Sequence, residues 1–238
     1  MDPAGRSLLP HLTETAAATR RLLAGLAELS DADLPAPSLL PVWTRGHVVA
    51  HLCRNADAVT NLVAWAATGQ ERPMYTSQAA RDAAIEAGAG RPLAEQLADA
   101  EESAERFLAA ARDLRAERWD TEVTRVPGGE PFPVRRVGAM RRTEVEIHHA
   151  DLGAAYTAAD WPPDFLDHLV SRRRRELAAA GIALVLDLTD RGEEVVTGVG
   201  GPRVSGATAD VVWWLLGRGR GERLACSDPR LPDLGRWV

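Results

Sequence analysis

The sequence contains no lysine, so all 28 of its basic residues are arginines. Together with the heavy use of alanine, we interpret this as the codon bias of a GC-rich genome rather than as a chemical requirement. The basic residues are outnumbered by 34 acidic ones, which gives a formal net charge of −6. This deficit of positive charge argues against nucleic acid or an anionic membrane surface as the main partner.

Cysteine is also scarce, since Cys53 and Cys226 are the only two and lie far apart in the sequence. Two such residues are no disulfide framework, and we expect a protein of the reducing cytoplasm. No apolar run approaches the roughly 20 residues of a membrane span. The first residues also lack the basic segment and apolar run of a signal peptide, so we expect neither export nor membrane insertion.

What the sequence does contain is helical periodicity over its first two thirds. The composition, 45% hydrophobic and 26% charged, is that of an ordinary globular protein. Four long helices are predicted, at residues 3–30, 44–68, 92–114 and 134–157. The loop 70–91 is expected to carry a shorter helix at 77–87, and residues 121–133 are expected to form a connection that contains a turn.

The pattern changes after Trp161. It predicts a helix at 164–180, strands at 182–188 and 194–199, a helix at 207–216 and a last strand near 223–226. We therefore predict an α+β protein with two domains, a four-helix bundle at residues 1–158 and a small α+β domain at residues 159–238.

A glutamate and a histidine lie four residues apart in the fourth predicted helix, at Glu144 and His148. Side chains at this spacing share one helical face. His51, on the second predicted helix, completes a set of three if the two helices pack side by side. Two histidines and one glutamate suit a catalytic divalent metal with an open fourth position, and bundles build such sites from facing helices.

The same residues also have an ordinary structural interpretation. Glutamate is a good helix former, so this spacing is common, and the histidines could be core residues with satisfied hydrogen bonds. Glu144 could then pair with a nearby arginine, which is Arg45, Arg141 or Arg142. His47 lies one turn before His51 on the same face, so the second helix offers two imidazoles.

Three neighbouring residues receive separate expectations. His149 points about 100° away from His148 around the helix, and we expect it at the surface or beside a ligand residue. Asp151 is expected either to orient a ligand histidine or to be a plain surface residue. Cys53, two positions after His51, does not share its face, so we expect a buried structural cysteine.

Three segments resemble one known family, in that family's order. Residues 43–57, which contain His51, resemble the N-terminal metal-binding domain of mycothiol-dependent maleylpyruvate isomerases, which are DinB-like four-helix bundles. Residues 141–153, which contain Glu144 and His148, resemble the family's second metal-ligand segment. Residues 204–218 are similar to its small C-terminal domain, which is sterol-carrier-like in fold. The resemblance covers nearly the whole chain.

The resemblance implies a set of site residues. The family's zinc ligands would fall on His51, Glu144 and His148, with His47 outside the set. Its catalytic arginine would fall on Arg218, with Arg220 as a rival and Arg223 as a weaker one, and a role as a helix C-terminal cation is the structural alternative for Arg218.

The resemblance also implies a reaction. Zn²⁺ would hold the thiol of mycothiol as a thiolate, and this would add to the cis double bond of maleylpyruvate. Rotation and expulsion of the thiolate would then leave fumarylpyruvate, a step in gentisate degradation. The partners would be a small dicarboxylate and a low-molecular-weight thiol, in a cleft between the domains, and the protein would be a monomer or a small homo-oligomer.

Two other functions remain open. A mycothiol S-transferase that acts on other electrophiles would use the same metal site, and a non-enzymatic metal-binding or regulatory protein would need no open position. Whether the loop 70–91 closes over the site also stays open.

Overall fold

The computed structural model describes the backbone of residues 3–234, with side chains described from residue 11 onward. The chain forms two compact units and passes from the first to the second between Ala155 and Tyr156, close to the change of sequence pattern near residue 158. The combination of helices and small sheets confirms the predicted α+β class. None of the helices in the described part of the chain is long and apolar enough to span a membrane.

Within the residues that the structure describes, the first unit is built from five α-helices and one short hairpin. Its helices are α1 (Pro3–Ala27), α2 (Arg45–Thr68), α3 (Gln78–Ala89), α4 (Leu93–Asp113) and α5 (Val137–Asp151), and its strands are β1 (Glu122–Val123) and β2 (Phe132–Pro133). Helix α2 packs against α3, α4 and α5, while α1 packs against α4 and α5. The four long helices therefore form the bundle, and α3 is attached to it through α2.

Apolar residues on the facing sides of these helices hold the bundle together. Leu22 and Leu26 of α1, Leu52 of α2 and Val145 of α5 belong to one buried cluster, and none of them is more than 1% exposed. Burying each such side chain contributes about 1.5–3 kcal/mol. Because α2 and α5 share this cluster, polar residues on their adjoining surfaces are held at fixed positions.

Helix α2 begins and ends where the sequence indicates. The Thr44 side chain caps its first turn, and Gly69, in the left-handed conformation at φ 76°, ends it. The fourth predicted helix, in contrast, is shorter than expected, because α5 ends at Asp151 and not near residue 157. Gly153 turns the chain at φ 63°, and Arg45 donates hydrogen bonds to the carbonyl oxygens of Leu152 and Gly153, both at 2.9 Å.

The expected short helix in the loop 70–91 is confirmed as α3, and it lies directly on α2. Ser77 caps its N-terminus. Gly46 and Gly88 let the two helices approach closely, and Ile85 of α3 is buried, with 2% exposed. Helix α3 is thus a packed part of the bundle.

Up to residue 234, where the described part of the chain ends, the second unit contains two α-helices and a four-stranded sheet. The helices are α6 (Pro163–Ala179) and α7 (Thr208–Leu215), and the strands are β3 (Val185–Leu188), β4 (Glu193–Val196), β5 (Arg203–Gly206) and β6 (Ala225–Cys226). The strand order is β4-β3-β5-β6, with β3 and β5 parallel and the other pairs antiparallel. Strand β5 is not among the predicted strands, because four residues between glycine-rich turns carry too weak a pattern to stand out.

The contact between α2 and α3 yields a stability prediction. Gly46→Ala would place a Cβ 2.2 Å from the carbonyl oxygen of Ala89, so the helices must separate. We expect the free energy of unfolding to fall by about 1–3 kcal/mol, measured by urea denaturation. Gly90→Ala is the control, because no heavy atom lies within 4 Å of the added Cβ. Equal stability of the two variants would show that α3 does not depend on this contact.

Candidate metal centre

His51, Glu144 and His148 meet where α2 faces α5. His51 Nε2 lies 3.0 Å from Glu144 Oε2, and His148 Nε2 lies 3.5 Å from the same oxygen. One ligand atom from each residue can be chosen so that all three lie within 4.8 Å of one another. The structure therefore brings together the three residues that the sequence proposed as metal ligands. Three donors that converge in this way can hold a single divalent ion.

The protonation states of His51 and Glu144 also suit the binding of a cation. Burial lowers the pKa of His51 to about 4, so its imidazole is neutral at physiological pH and has a lone pair to offer. Burial opposes the charge of Glu144, but hydrogen bonds from His148 and His51 outweigh it and hold the carboxyl pKa well below its usual value. The site therefore presents a carboxylate and a neutral imidazole in a confined position.

Asp151 sets the orientation of His148. Its Oδ2 lies 2.9 Å from His148 Nδ1, and its side chain is fully buried. Burial opposes the charge of His148, but the hydrogen bonds to Asp151 and Glu144 raise its pKa to about 9. A carboxylate that is hydrogen-bonded to one imidazole nitrogen fixes the ring and directs the other nitrogen toward a metal ion. Of the two interpretations of Asp151, the structure favours the one in which it orients a candidate ligand.

Local contacts explain why His51 faces α5. Thr44 and His47 form a capping box at the start of α2, with the Thr44 backbone N–H donating to His47 Nδ1 at 3.2 Å. Arg45, the first residue of α2, holds the end of α5 through the carbonyl bonds described above. The N-terminus of α2 is thus tied to the C-terminus of α5, and His51 lies opposite Glu144 and His148.

His47 does not join the cluster. Its Nδ1 belongs to the capping box, and its Nε2 lies 3.1 Å from Glu86 Oε2 on α3. Within the described part of the chain, the set of three potential ligands at this position is His51, Glu144 and His148. The arrangement leaves His47 no role as a fourth ligand.

The expectation for His149 needs correction. It is neither at the surface nor beside the cluster, since it is 3% exposed and its Nε2 would lie 2.6 Å from a Cβ added to Gly25 of α1. The structural reason is that the side of α5 away from the cluster is covered by α1 and so is also buried. Cys53, in contrast, is buried as expected, and burial raises its pKa to about 12.

Sequence reasoning missed Arg81, on α3. Its Nη2 lies 3.2 Å from His51 Nδ1, and its guanidinium carbon lies 6.0 Å from the ring centre of Trp43 and 5.8 Å from that of Tyr75. A signal was available, because Arg81 precedes the single large apolar residue of α3, Ile85, by one turn and so shares its buried face. In the sequence, α3 lies within a predicted loop at residues 70–91, so the face shared by Arg81 and Ile85 did not stand out.

Arg218 lies in the second unit, directly after α7. Gly217, at φ 68°, ends the helix, and Arg218 Nη1 donates to the carbonyl oxygen of Leu216 at 3.1 Å. This is a helix-capping contact of the kind expected for a C-terminal cation. Arg220 is exposed, and its backbone N–H donates to the carboxylate of Glu222. The catalytic role of Arg218 stays a prediction.

Comparison with known proteins identifies the family. A family model described as the mycothiol maleylpyruvate isomerase N-terminal domain matches residues 15–153, which include all three candidate ligands. The chain belongs to the mycothiol maleylpyruvate isomerase family. This confirms the resemblance seen in the segments around His51, Glu144 and His148.

Solved structures agree with this membership of the maleylpyruvate isomerase family. The crystal structure of the mycothiol-dependent maleylpyruvate isomerase is similar with a TM-score of 0.88 and 31% sequence identity, over 100% of both chains. A crystal structure of a histidine-to-alanine mutant of the mycothiol-dependent maleylpyruvate isomerase gives a TM-score of 0.87 and 31% identity, also over 100% of both chains. No curated protein matches the chain.

The two histidines of α2 provide a matched test of the metal centre. His51→Ala is expected to abolish stoichiometric Zn²⁺ binding, because it removes one of three converging donors. His47→Ala is expected to retain the metal, since its ring contacts Thr44 and Glu86. Metal content after gel filtration measures both. Tightly bound Zn²⁺ in His51→Ala, or its loss from His47→Ala alone, would contradict the assignment.

Proposed function

We propose that this protein is a Zn²⁺- and mycothiol-dependent isomerase that converts maleylpyruvate to fumarylpyruvate. The observation that carries the proposal is the convergence of His51, Glu144 and His148 within 4.8 Å on two helices of the bundle. Membership of the family and full-length similarity to an isomerase of that name support the same activity.

The chain's own residues account for how a metal would be held. His51 and His148 direct their Nε2 atoms toward Glu144. Metal binding would displace the proton that a pKa of about 9 leaves on His148, and two neutral imidazoles with one carboxylate would then leave a net charge of +1 on a bound Zn²⁺. Three protein ligands leave a coordination position open, as catalytic zinc sites require. His47 does not close that position, because it contacts Thr44 and Glu86. When bound, Zn²⁺ and mycothiol would supply a thiolate at neutral pH, whose reversible addition to the cis double bond permits rotation.

The properties of Cys53 favour an external thiol. It lies two residues from His51 but is fully buried, and its Sγ lies 4.0 Å from the carbonyl oxygen of Gln96. With a pKa of about 12, it holds its proton at neutral pH and is not a nucleophile. Cys53 therefore supplies no thiolate to the metal centre.

A direct assay tests the proposed reaction. Zn²⁺-loaded protein with mycothiol is expected to convert maleylpyruvate to fumarylpyruvate, and omission of mycothiol or removal of Zn²⁺ by a chelator is expected to abolish turnover. The loss of the cis substrate is followed by absorbance and the product is identified by chromatography. Turnover without any thiol would refute the mechanism. Conjugation of mycothiol to other electrophiles without isomerisation would instead identify an S-transferase.

The proposal assigns the second unit's Arg218 to stabilisation of the negative charge that develops on the substrate during addition. Arg218→Ala is expected to retain Zn²⁺ and to lower kcat by about a hundredfold, the size of effect typical for loss of such a donor. Arg220→Ala serves as the matched control and should keep normal kinetics. A loss of kcat in Arg220→Ala instead would transfer the role to that residue.

A further inference from the structure

Arg81 is an arginine at the edge of the candidate metal centre that none of the assigned roles uses. Its Nη2 lies 3.2 Å from His51 Nδ1, and its side chain is 20% exposed. The ring centres of Trp43 and Tyr75 each lie about 6 Å from its guanidinium carbon. Contacts of this kind hold a guanidinium in place and leave its in-plane N–H donors available.

Arg81 also lines a cavity. It has a volume of about 440 Å³, within the range of small-molecule sites, and Tyr75, Asn61, Thr76 and Arg81 are among the residues that line it. Arg81 is therefore part of the cavity wall and in contact with His51 at the same time. A ligand in this cavity would lie one side chain away from the candidate metal ligands.

The charges around Arg81 leave positive potential in this region. The carboxylate that contacts Arg81 is that of Asp82, which is 57% exposed, so water screens the pair and weakens it. Nearby, the buried Arg141 donates to two neutral oxygens, the Leu52 carbonyl and the Asn55 side-chain amide, each at 2.8 Å. Glu144 is the leading opposite charge acting on Arg141. The charged residues that line the cavity are three arginines, Arg54, Arg72 and Arg81, and two carboxylates, Asp57 and Glu71. Asp57 is itself paired with Arg54 and Arg106, so the lining keeps an excess of positive charge.

The hydrogen bonds of His51 also indicate that metal binding would release a donor of Arg81. A neutral imidazole has one acceptor nitrogen and one N–H. While Arg81 donates to Nδ1, the proton is on Nε2 and faces Glu144. An imidazole that offers Nε2 to a metal carries its proton on Nδ1 and cannot accept from Arg81. The Nη2 donor of Arg81 is then available to another acceptor at the cavity wall, and the exposed contact of Nη1 with Asp82 is one that a bound carboxylate can replace.

We propose that Arg81 binds a carboxylate of the substrate through its guanidinium fork, on the cavity side of the metal centre. This inference rests on the proposed function, because it takes the substrate to be a small dicarboxylate. Arginine matches the two oxygens of a carboxylate with two parallel N–H donors. Arg81 belongs to the same unit as the three candidate ligands, so it fixes a carboxylate at a set distance from them.

Arg81 is not needed to hold α3 in place. The helix is anchored by the close contacts of Gly46 with Ala89 and of Gly88 with Ala50, and by the buried Ile85. Substitution of Arg81 should therefore leave the fold intact, and its effects on binding can be measured.

The test uses Zn²⁺-loaded protein without thiol and succinate as the probe. Succinate has two carboxylates and no double bond, so its binding is measured by calorimetry apart from any reaction. Arg81→Gln is expected to weaken succinate binding by about tenfold to a hundredfold, the size of a lost charged hydrogen-bond pair. Arg81→Lys, which keeps the charge but loses the fork, should give an intermediate loss.

Arg112→Gln is the matched control, since it makes the same charge change on α4 at an exposed arginine paired with Glu105. It should bind succinate like the unmodified protein. In turnover, Arg81→Gln should raise KM for the dicarboxylate by a similar factor and lower kcat less.

Three results would overturn the inference. The first is unchanged succinate binding in Arg81→Gln. The second is loss of Zn²⁺ from that variant, which would reduce Arg81 to a support for His51. The third is the absence of saturable succinate binding by the unmodified protein at millimolar concentration. Binding of succinate that depends on Arg81, without any isomerase activity, would support the carboxylate site while refuting the proposed function.

Discussion

The carboxylate of Glu144 is the constraint on which the rest of the site depends. It lies between two helices of the bundle, where partial burial opposes its charge and hydrogen bonds from neighbouring side chains favour it. His51 and His148 supply the compensation from opposite helices, and the buried Arg141 adds positive charge nearby. The position therefore requires α2 and α5 to keep a fixed separation, and it makes the same three residues available to a cation.

The contacts around this position serve to keep that separation. Thr44 and His47 cap the start of α2, and Arg45 joins it to the end of α5. Asp151, near the same end of α5, holds the ring of His148. These contacts lie within one or two helical turns of the candidate ligands, so the geometry of the site depends on the junction between the two helices more than on the bundle as a whole.

The surroundings of the site suit chemistry that depends on an external thiol and an anionic substrate. The nearby Cys53 is buried and holds its proton, so it offers no thiolate at this point. Arg81, placed by α3 at the edge of the site and at the wall of a cavity, provides a cation for a carboxylate. Helix α3 thus contributes to binding through a residue that the pattern of the four long helices does not reveal.

The sequence by itself determined the four long helices, the α+β class and the half-site formed by Glu144 and His148, because helical periodicity and capping residues are local properties. It also proposed His51 as the third member if the two helices pack side by side, and the resemblance of residues 43–57 to a known family supported that choice. Only the tertiary structure decided that His47 turns toward Glu86, that His149 packs against Gly25, and that Arg81 reaches His51. Each of these depends on which helix covers which face, and strand β5 likewise exists only through pairing with strands distant in sequence. Such contacts join residues tens of positions apart, and no local pattern specifies them.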